Sequence, residues 1–380
     1  MTGIKMTCSN LTMKLHRQSW FYLMFLLLVI FLVLFSMSLS SRLLKLQANL
    51  RSSAVTSESS GLLHLLGLEK SNDNRYETVW SVCKENIGNH IQHRSIIDDP
   101  PPNILVDMEH KLMYCSVPKA ACSSWKTLFF ELRGINVTNS VHSRAKKELT
   151  FLHQLSINRR WEVLRSFTKF MITRNPFLRI LSAYRNKIQP NGTYEQLNAD
   201  WKPYRWREIV GRPIIEKYYG NDVAMEMMTN KDKYNVTFSD FVRFLVDFPD
   251  LQASKDVHWM DINSLCYPCD VNYDVIVKFE SMATEMQLVF EKAGLEANLP
   301  EVSQHSTNSS SIAQAVEYYK TLPPDVVTRL YNRYYYDFTV FEYDANLIYP
   351  GITDLRAHLE SSASSLSTTT LTKDDNNKNI

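Results

Sequence analysis

The sequence predicts an α/β fold whose mainly parallel central sheet is flanked by helices. Three observations predict it. Short apolar runs recur with amphipathic stretches directly after them, the strand–loop–helix alternation of parallel sheets. Glycine is scarce, 10 of 380 residues, while 44% of residues are hydrophobic, which excludes collagen-like and wholly disordered chains. The length suits one large domain or two small ones with a sizeable core.

Taken in order, the first element is an apolar run. Trp20 to Leu39 is 20 residues without a charge, and a helix of that length spans a bilayer core of roughly 30 Å. Residues 1–18 therefore read as a cytosolic N-terminus and 19–40 as a transmembrane signal anchor. Ser36-Met37-Ser38 loosely imitates a cleavage site, but the run is longer than the roughly 7–15 residues of a signal-peptide core. Lys5, Lys14 and Arg17 before it nearly balance Arg42, Lys45 and Arg51 after it, so flanking charge does not orient the helix. The Asn-x-Ser/Thr acceptors at Asn136, Asn191, Asn235 and Asn308 do, because they have a use only in the secretory lumen. The expected topology is type II, with the body luminal.

Cysteine usage agrees. Cys8 falls on the cytosolic side, leaving Cys83, Cys115, Cys122, Cys266 and Cys269 in the lumen. Five cannot all pair within one chain. Cys266-Tyr267-Pro268-Cys269 lacks the second pair that a zinc site needs and reads as disulfide partners, to each other or to a third cysteine.

Residues 41–97 read as a luminal stem. Leu43, Leu44, Leu46 and Leu50 have roughly helical spacing, followed by serine-rich sequence and then Leu62 to Leu68. That pattern fits a self-associating neck, and so a homodimer, as well as a floppy spacer. Asp98-Asp99-Pro100-Pro101-Pro102 opens the folded body, expected over 98–347, and the polar tail 348–380 is expected to be disordered. Within the body, Lys111–Val117, Phe167–Thr173 and Val271–Phe279 read as strands. Ser124–Arg133, Pro176–Lys187, Met282–Ala293 and Asp325–Tyr335 read as helices.

Net charge is only +2, against a nucleic-acid partner, yet Tyr114 to Pro190 holds 14 Lys/Arg against 3 Glu and no Asp. That segment is suited to anions. Its first strand runs into Pro118-Lys119-Ala120-Ala121-Cys122-Ser123-Ser124-Trp125-Lys126, which opens a helix. Free N–H groups at a helix N-terminus seat phosphate, Ser123 and Ser124 can cap it or contact the anion, and Lys119 adds charge. The geometry imitates a P-loop, but no glycine lies in the loop, which argues against a kinase using Mg-ATP. The second strand ends at Arg174, where open α/β sheets bind ligands, and Pro176 starts a helix that carries Ser182 two turns on. A guanidinium and a hydroxyl make a receptor for a second phosphate. Arg179 and Arg185 are expected to face solvent or acidic partners.

Together the two loops resemble the donor-binding signatures of sulfotransferases. Cys115-Ser116-Val117-Pro118-Lys119 through Lys126, and Ile172-Thr173-Arg174-Asn175-Pro176-Phe177 through Arg185, are similar to Golgi carbohydrate sulfotransferases of the chondroitin and dermatan 4-O-sulfotransferase branch. His258-Trp259, Cys266-Tyr267-Pro268-Cys269, Tyr273-Asp274, Lys278-Phe279-Glu280 and Tyr336-Asp337-Phe338 agree. The resemblance spans about Asn103 to Tyr343, and Asn175 departs from it, standing where many relatives carry an acidic residue. It implies a P-loop-like sulfotransferase fold that transfers a sulfuryl group from 3′-phosphoadenylyl sulfate to a sugar hydroxyl, without a metal. The implied acceptor is a glycosaminoglycan, at the 4-hydroxyl of N-acetylgalactosamine. A terminal galactosamine or glucuronic acid is the runner-up, and a silent glycan-binding relative the reading from another class. In this scheme residues Pro118 to Lys126 hold the 5′ end, Lys119 stabilises the leaving phosphate, and Arg174 with Ser182 holds the 3′-phosphate. A histidine takes the hydroxyl proton: His142 first, for its place between the donor loops, then His258, whose neighbour Trp259 could stack on a sugar. Lys202, Arg205, Arg207 and Arg212 are candidates for a groove that receives an anionic chain.

Overall fold

The computed structural model describes residues 64–85, 95–137, 141–190, 204–230, 233–295 and 311–352. The chain divides into two compact units, Met1–Gly67 and Leu68–Ile380, and the architecture below is that of the second. The expected membrane anchor, Asn191, Asn308, Lys202 and the tail beyond 352 lie outside the described residues. Among those described, no helix is long and apolar enough to cross a membrane.

Five strands form one sheet in the order β3-β1-β2-β4-β5: β1 Ile104–Asp107, β2 Leu112–Cys115, β3 Thr150–Phe151, β4 Thr168–Thr173 and β5 Val275–Lys278. Pairs β2–β4 and β4–β5 are parallel, but β1 pairs antiparallel with both β2 and β3. The sheet is thus mixed, not mainly parallel as expected. The cause is local. Asp107 Oδ1 accepts from the backbone N–H of Glu109 at 3.0 Å and of His110 at 3.3 Å, a side-chain-closed turn that needs no glycine. It folds β1 back on β2, and no Gly or Pro signals it in the sequence.

The helices are α1 over 68–85, α2 Cys122–Glu131, α3 Val141–Glu148, α4 Ile157–Ser166, α5 Pro176–Lys187, α6 Arg212–Tyr219, α7 Asn221–Thr229, α8 Phe238–Asp247, α9 Ile262–Cys266, α10 Met282–Lys292, α11 Ile312–Tyr319, α12 Pro324–Arg333 and α13 Tyr335–Val340. Central strand β4, between two parallel neighbours, is buried along nearly its whole length, with Phe170, Met171 and Ile172 fully enclosed and Lys169 paired with Asp274 at 2.8 Å. Against it Tyr114 stacks on Phe170 at 4.9 Å between ring centres, and Trp125 lies 4.4 Å from the same ring. Each such pair adds about 0.5–1.5 kcal/mol beyond its buried area. A second apolar mass gathers α5, α8, α11 and α12, with Phe177, Phe241, Tyr319 and Leu330 fully buried.

Both ends of the body reach past the predicted limits. Helix α1, in the segment read as stem, packs on β5. Arg75 makes a bidentate, buried pair with Glu285, both contacts at 2.7 Å, and Asn72 bonds the backbone of Asp274 and Ile276, both at 2.9 Å. At the other end Ile348 and Ile352 are buried in the helical core. Two disulfides close the frame, Cys83–Cys269 and Cys115–Cys266, and Cys122 is a free thiol. Cys266 and Cys269 therefore each pair with a distant cysteine, because the αL turn at Tyr267 sends them to different elements.

Candidate active site

The parallel half of the sheet delivers its loops to one open cavity of about 820 Å³, lined by Lys119, Ser123, His142, Arg174, Ser182 and Lys187 among others.

The first wall is the loop after β2. It lacks glycine, yet Lys119 has φ 69° and Ala121 φ 57°, left-handed conformations that cost an L-residue roughly 1–2 kcal/mol. Strain of this kind persists only where surroundings fix it. Ala120 supplies one anchor, its N–H bonded to Val117 O at 3.2 Å. Arg174 supplies another, donating from Nη1 to Lys119 O at 2.8 Å. The turn brings the N-terminus of α2 to the cavity, with Ala121 as N-cap and no side chain capping it. Of the two readings of Ser123 and Ser124, cap or anion contact, the cap is not made: both sit on the first turn and line the cavity. Ser123 Oγ lies 2.8 Å from His142 Nε2. Pro118, Ala121, Cys122 and Ser124 share the lining, whereas Ala120 and Trp125 do not and are wholly buried. Trp125 serves the sheet core. Lys126, one turn on, places Nζ 3.3 Å from His142 Nδ1.

The second wall follows β4. Asn175 caps α5, its Oδ1 accepting from Phe177 N at 3.0 Å and Leu178 N at 3.4 Å. The missing acidic residue is thus replaced by an equally good cap. Phe279 packs beneath the Arg174 guanidinium, 4.5 Å from its centre. Ser182 is buried and faces the cavity, and Asn186 and Lys187 follow it on the lining. Sequence reasoning stopped at Ser182, although Asn186 at i+4 shares its helical face.

Electrostatics follow from enclosure and crowding of cations. Burial, with help from Lys187 and Arg174, lowers the Lys119 ammonium to about 8. Burial takes Lys187 to about 8 as well, and Arg174 to about 10. Withdrawal from water, then Lys126 and Lys187, hold His142 down to about 3, even though its ring stands at the exposed mouth. His258 is also lowered by burial, against the pull of Asp256. A cavity lined by three cationic groups, with two histidines whose protonation burial disfavours, is built to receive anions.

Three expectations change. Arg179 is wholly buried, donating to His258 O at 3.4 Å and to Met260 O. Trp259 is fully buried too, against Phe241 at 5.2 Å, so its ring is not open to a sugar. Of the groove candidates, Arg207 is buried over the Tyr234 ring at 4.3 Å. Arg212 pairs with Glu208 at 2.7 Å and Glu216 at 4.0 Å. Arg205 alone of the described ones is exposed. Arg185, half-buried, donates to Gln314 Oε1 at 2.6 Å. Asn136 and Asn235 are exposed in loops.

Comparison with known proteins agrees with this geometry. The model of the sulfotransferase family matches residues 102–344. The chain is 30% identical over 285 residues to carbohydrate sulfotransferase 9 of Homo sapiens, which covers 72% of the chain and 60% of that relative. It is 30% identical to carbohydrate sulfotransferase 11 of Mus musculus, over 71% of the chain and 75% of the relative. Carbohydrate sulfotransferase 14 of Danio rerio is also 30% identical, over 71% and 70%. The chain thus spans less than two thirds of the human relative's length. No solved structure matches the chain. On the extent of these matches the chain belongs to the sulfotransferase family, and with it to the sulfotransferase enzymes.

Proposed function

We propose that the protein sulfates a sugar hydroxyl of a glycan with 3′-phosphoadenylyl sulfate as donor, and that the acceptor position is the 4-hydroxyl of N-acetylgalactosamine in chondroitin or dermatan. One observation carries the donor assignment: Lys119 and Arg174 stand in the same cavity, each at the end of a parallel strand, with their loops bonded at 2.8 Å. Cations carried by two separate loops suit a ligand with more than one anionic group, and ammonium, fork-shaped guanidinium and serine hydroxyls together match phosphate chemistry.

When bound, the donor supplies a sulfuryl group on its 5′-phosphate. Lys119 neutralises charge building on the leaving phosphate. Ser123, Ser124 and the N–H groups that open α2 orient the 5′ end. Arg174 and Ser182 hold the 3′-phosphate and so fix the register. A neutral histidine of the cavity accepts the hydroxyl proton during in-line displacement.

The two disulfides fit an oxidising compartment. They support a luminal body, which we place in the Golgi on a type II anchor at 19–40. The test is calorimetry of the detergent-solubilised full chain with 3′,5′-bisphosphoadenosine, followed by transfer of labelled sulfate to desulfated glycosaminoglycans with disaccharide analysis. Binding and a 4-sulfated product are expected. No binding by folded protein overturns the donor site, and label at another hydroxyl overturns the acceptor position.

A further inference from the structure

We infer that His258, aimed by Asp256, is the base that deprotonates the acceptor hydroxyl, and that Asp256 is its positioning residue. The inference rests on the sulfuryl-transfer reading above.

Two histidines line the cavity, and their ring nitrogens are used differently. His142 has both occupied, Nε2 by Ser123 Oγ at 2.8 Å and Nδ1 by Lys126 Nζ at 3.3 Å. An ammonium only donates, so Nδ1 is the acceptor, Nε2 carries the hydrogen, and Ser123 receives it. The lone pair is spent on a cation. His142 therefore sets the positions of a serine and a lysine on the donor side and holds no lone pair toward an acceptor.

His258 is arranged the other way. Asp256 Oδ1 lies 2.6 Å from Nδ1 and also takes the His258 backbone N–H at 2.9 Å. A carboxylate only accepts, so Nδ1 carries the hydrogen and Nε2 keeps its lone pair. Among the described residues no hydrogen bond engages that atom. This is the arrangement in which a carboxylate fixes tautomer and ring plane and then steadies the imidazolium.

The surroundings lock the ring. Trp206 stands edge-on to it at 4.9 Å, and Lys187 Nζ lies 5.0 Å over the same indole. Arg179 bonds the carbonyls of His258 and Met260 from the buried side. Trp259 Nε1 donates to Ala253 O at 2.9 Å, and Tyr334 OH to Trp259 O. The groups whose charge reaches His258 are Asp256, Lys187, Lys119 and His142. The three cationic or basic groups oppose its protonation and Asp256 favours it.

In the step itself, the acceptor O–H proton passes to His258 Nε2 as the new O–S bond forms. The old S–O bond breaks with its electron pair going to the 5′-phosphate oxygen, which Lys119 faces. His258 leaves as imidazolium against Asp256 and returns its proton to solvent.

The experiment compares the full-length protein with H258Q, D256N and H142Q. Its readouts are kcat at saturating donor, the affinity for 3′,5′-bisphosphoadenosine, and the acid limb of kcat against pH. H258Q is expected to lose at least about 100-fold in kcat, the range of a general base, with donor affinity within about three-fold. D256N is expected to lose about 10–100-fold and to move the acid limb to lower pH, because His258 loses the charge that favours its protonation; a merely structural carboxylate would leave the limb in place. H142Q is expected to weaken donor binding and leave the limb where it stands. Loss of the limb in H142Q, near-normal kcat in H258Q, or an unmoved limb in D256N each overturns the assignment. If H258Q does not fold, as shown by loss of donor binding, the other two variants decide. A wild-type protein that neither binds nor transfers would instead defeat the reading on which the inference rests.

Discussion

Arg174 Nη1 donates to the carbonyl oxygen of Lys119 over 2.8 Å, tying the loop after β2 to the end of β4. The guanidinium assigned to one phosphate thus also holds in place the strained loop assigned to the other, since Lys119 and Ala121 both sit at positive φ without glycine. The two halves of the proposed donor site are mechanically one.

That coupling predicts that Arg174→Lys is not conservative. A lysine keeps charge but lacks the rigid planar fork that lets one guanidinium hold a carbonyl with one nitrogen and a phosphate with another. Affinity for 3′,5′-bisphosphoadenosine should fall about 10–100-fold, the loss of one charged hydrogen bond or more. Backbone amides of 118–122 should exchange hydrogen faster. Calorimetry and hydrogen exchange check the two effects separately.

Binding should also depend on pH through Lys119. Burial lowers its ammonium to about 8 in the free protein. Only the protonated form attracts an anion, so affinity should fall as pH rises from about 7 through 8. Bound phosphate favours the charged form, so binding near pH 8 should take up protons. Calorimetry in two buffers of different ionisation enthalpy measures the uptake.

Trp125 is wholly buried against the stacked rings of Tyr114 and Phe170. Trp125→Ala should cost about 3–5 kcal/mol of stability through the cavity it leaves. Trp125→Phe should keep donor affinity within about three-fold. Urea unfolding and calorimetry together separate packing from binding.

Cys115 ends β2 and is bonded to Cys266 across 151 residues of sequence. Removing a native disulfide typically costs about 2–5 kcal/mol. The Cys115→Ser, Cys266→Ser pair should therefore lower the unfolding midpoint and weaken donor binding, because the tether lies directly before the anion loop. Reduction of the wild-type protein under native conditions should give the same loss.

Asn136 and Asn235 stand exposed in loops. In secretory expression, Asn136→Gln and Asn235→Gln should each remove the mass of one glycan, measured by intact-mass spectrometry before and after glycosidase. Unchanged mass in both would count against a luminal body.

Much of the site was readable in the chain because its parts are local. A strand, a loop and a helix start specify where backbone N–H groups and a lysine will stand, whatever surrounds them. Asn175 and Pro176 likewise announce the start of α5. The hairpin between β1 and β2 was not readable: Asp107 closes it with its own side chain and leaves no Gly or Pro as a sign. Arg179 and Trp259, polar or amphipathic by composition, were assigned to surface or ligand; burial depends on what packs on them, and no local pattern carries that.

The sequence by itself determined the alternation of strands and helices, the two loops that line the cavity and their basic character, since these follow from periodicity and helix-end chemistry within some ten residues. Only the tertiary structure decided the sheet's mixed pairing, the partners of Cys266 and Cys269, and which histidine keeps a lone pair. The last of these depends on contacts between residues 16 to 19 apart for His142, whereas for His258 the nearby Asp256 holds Nδ1 and the fold leaves Nε2 without a partner among the described residues. A proton's place on an imidazole is set by whichever donor or acceptor the fold brings beside it, and chain order does not encode that distance.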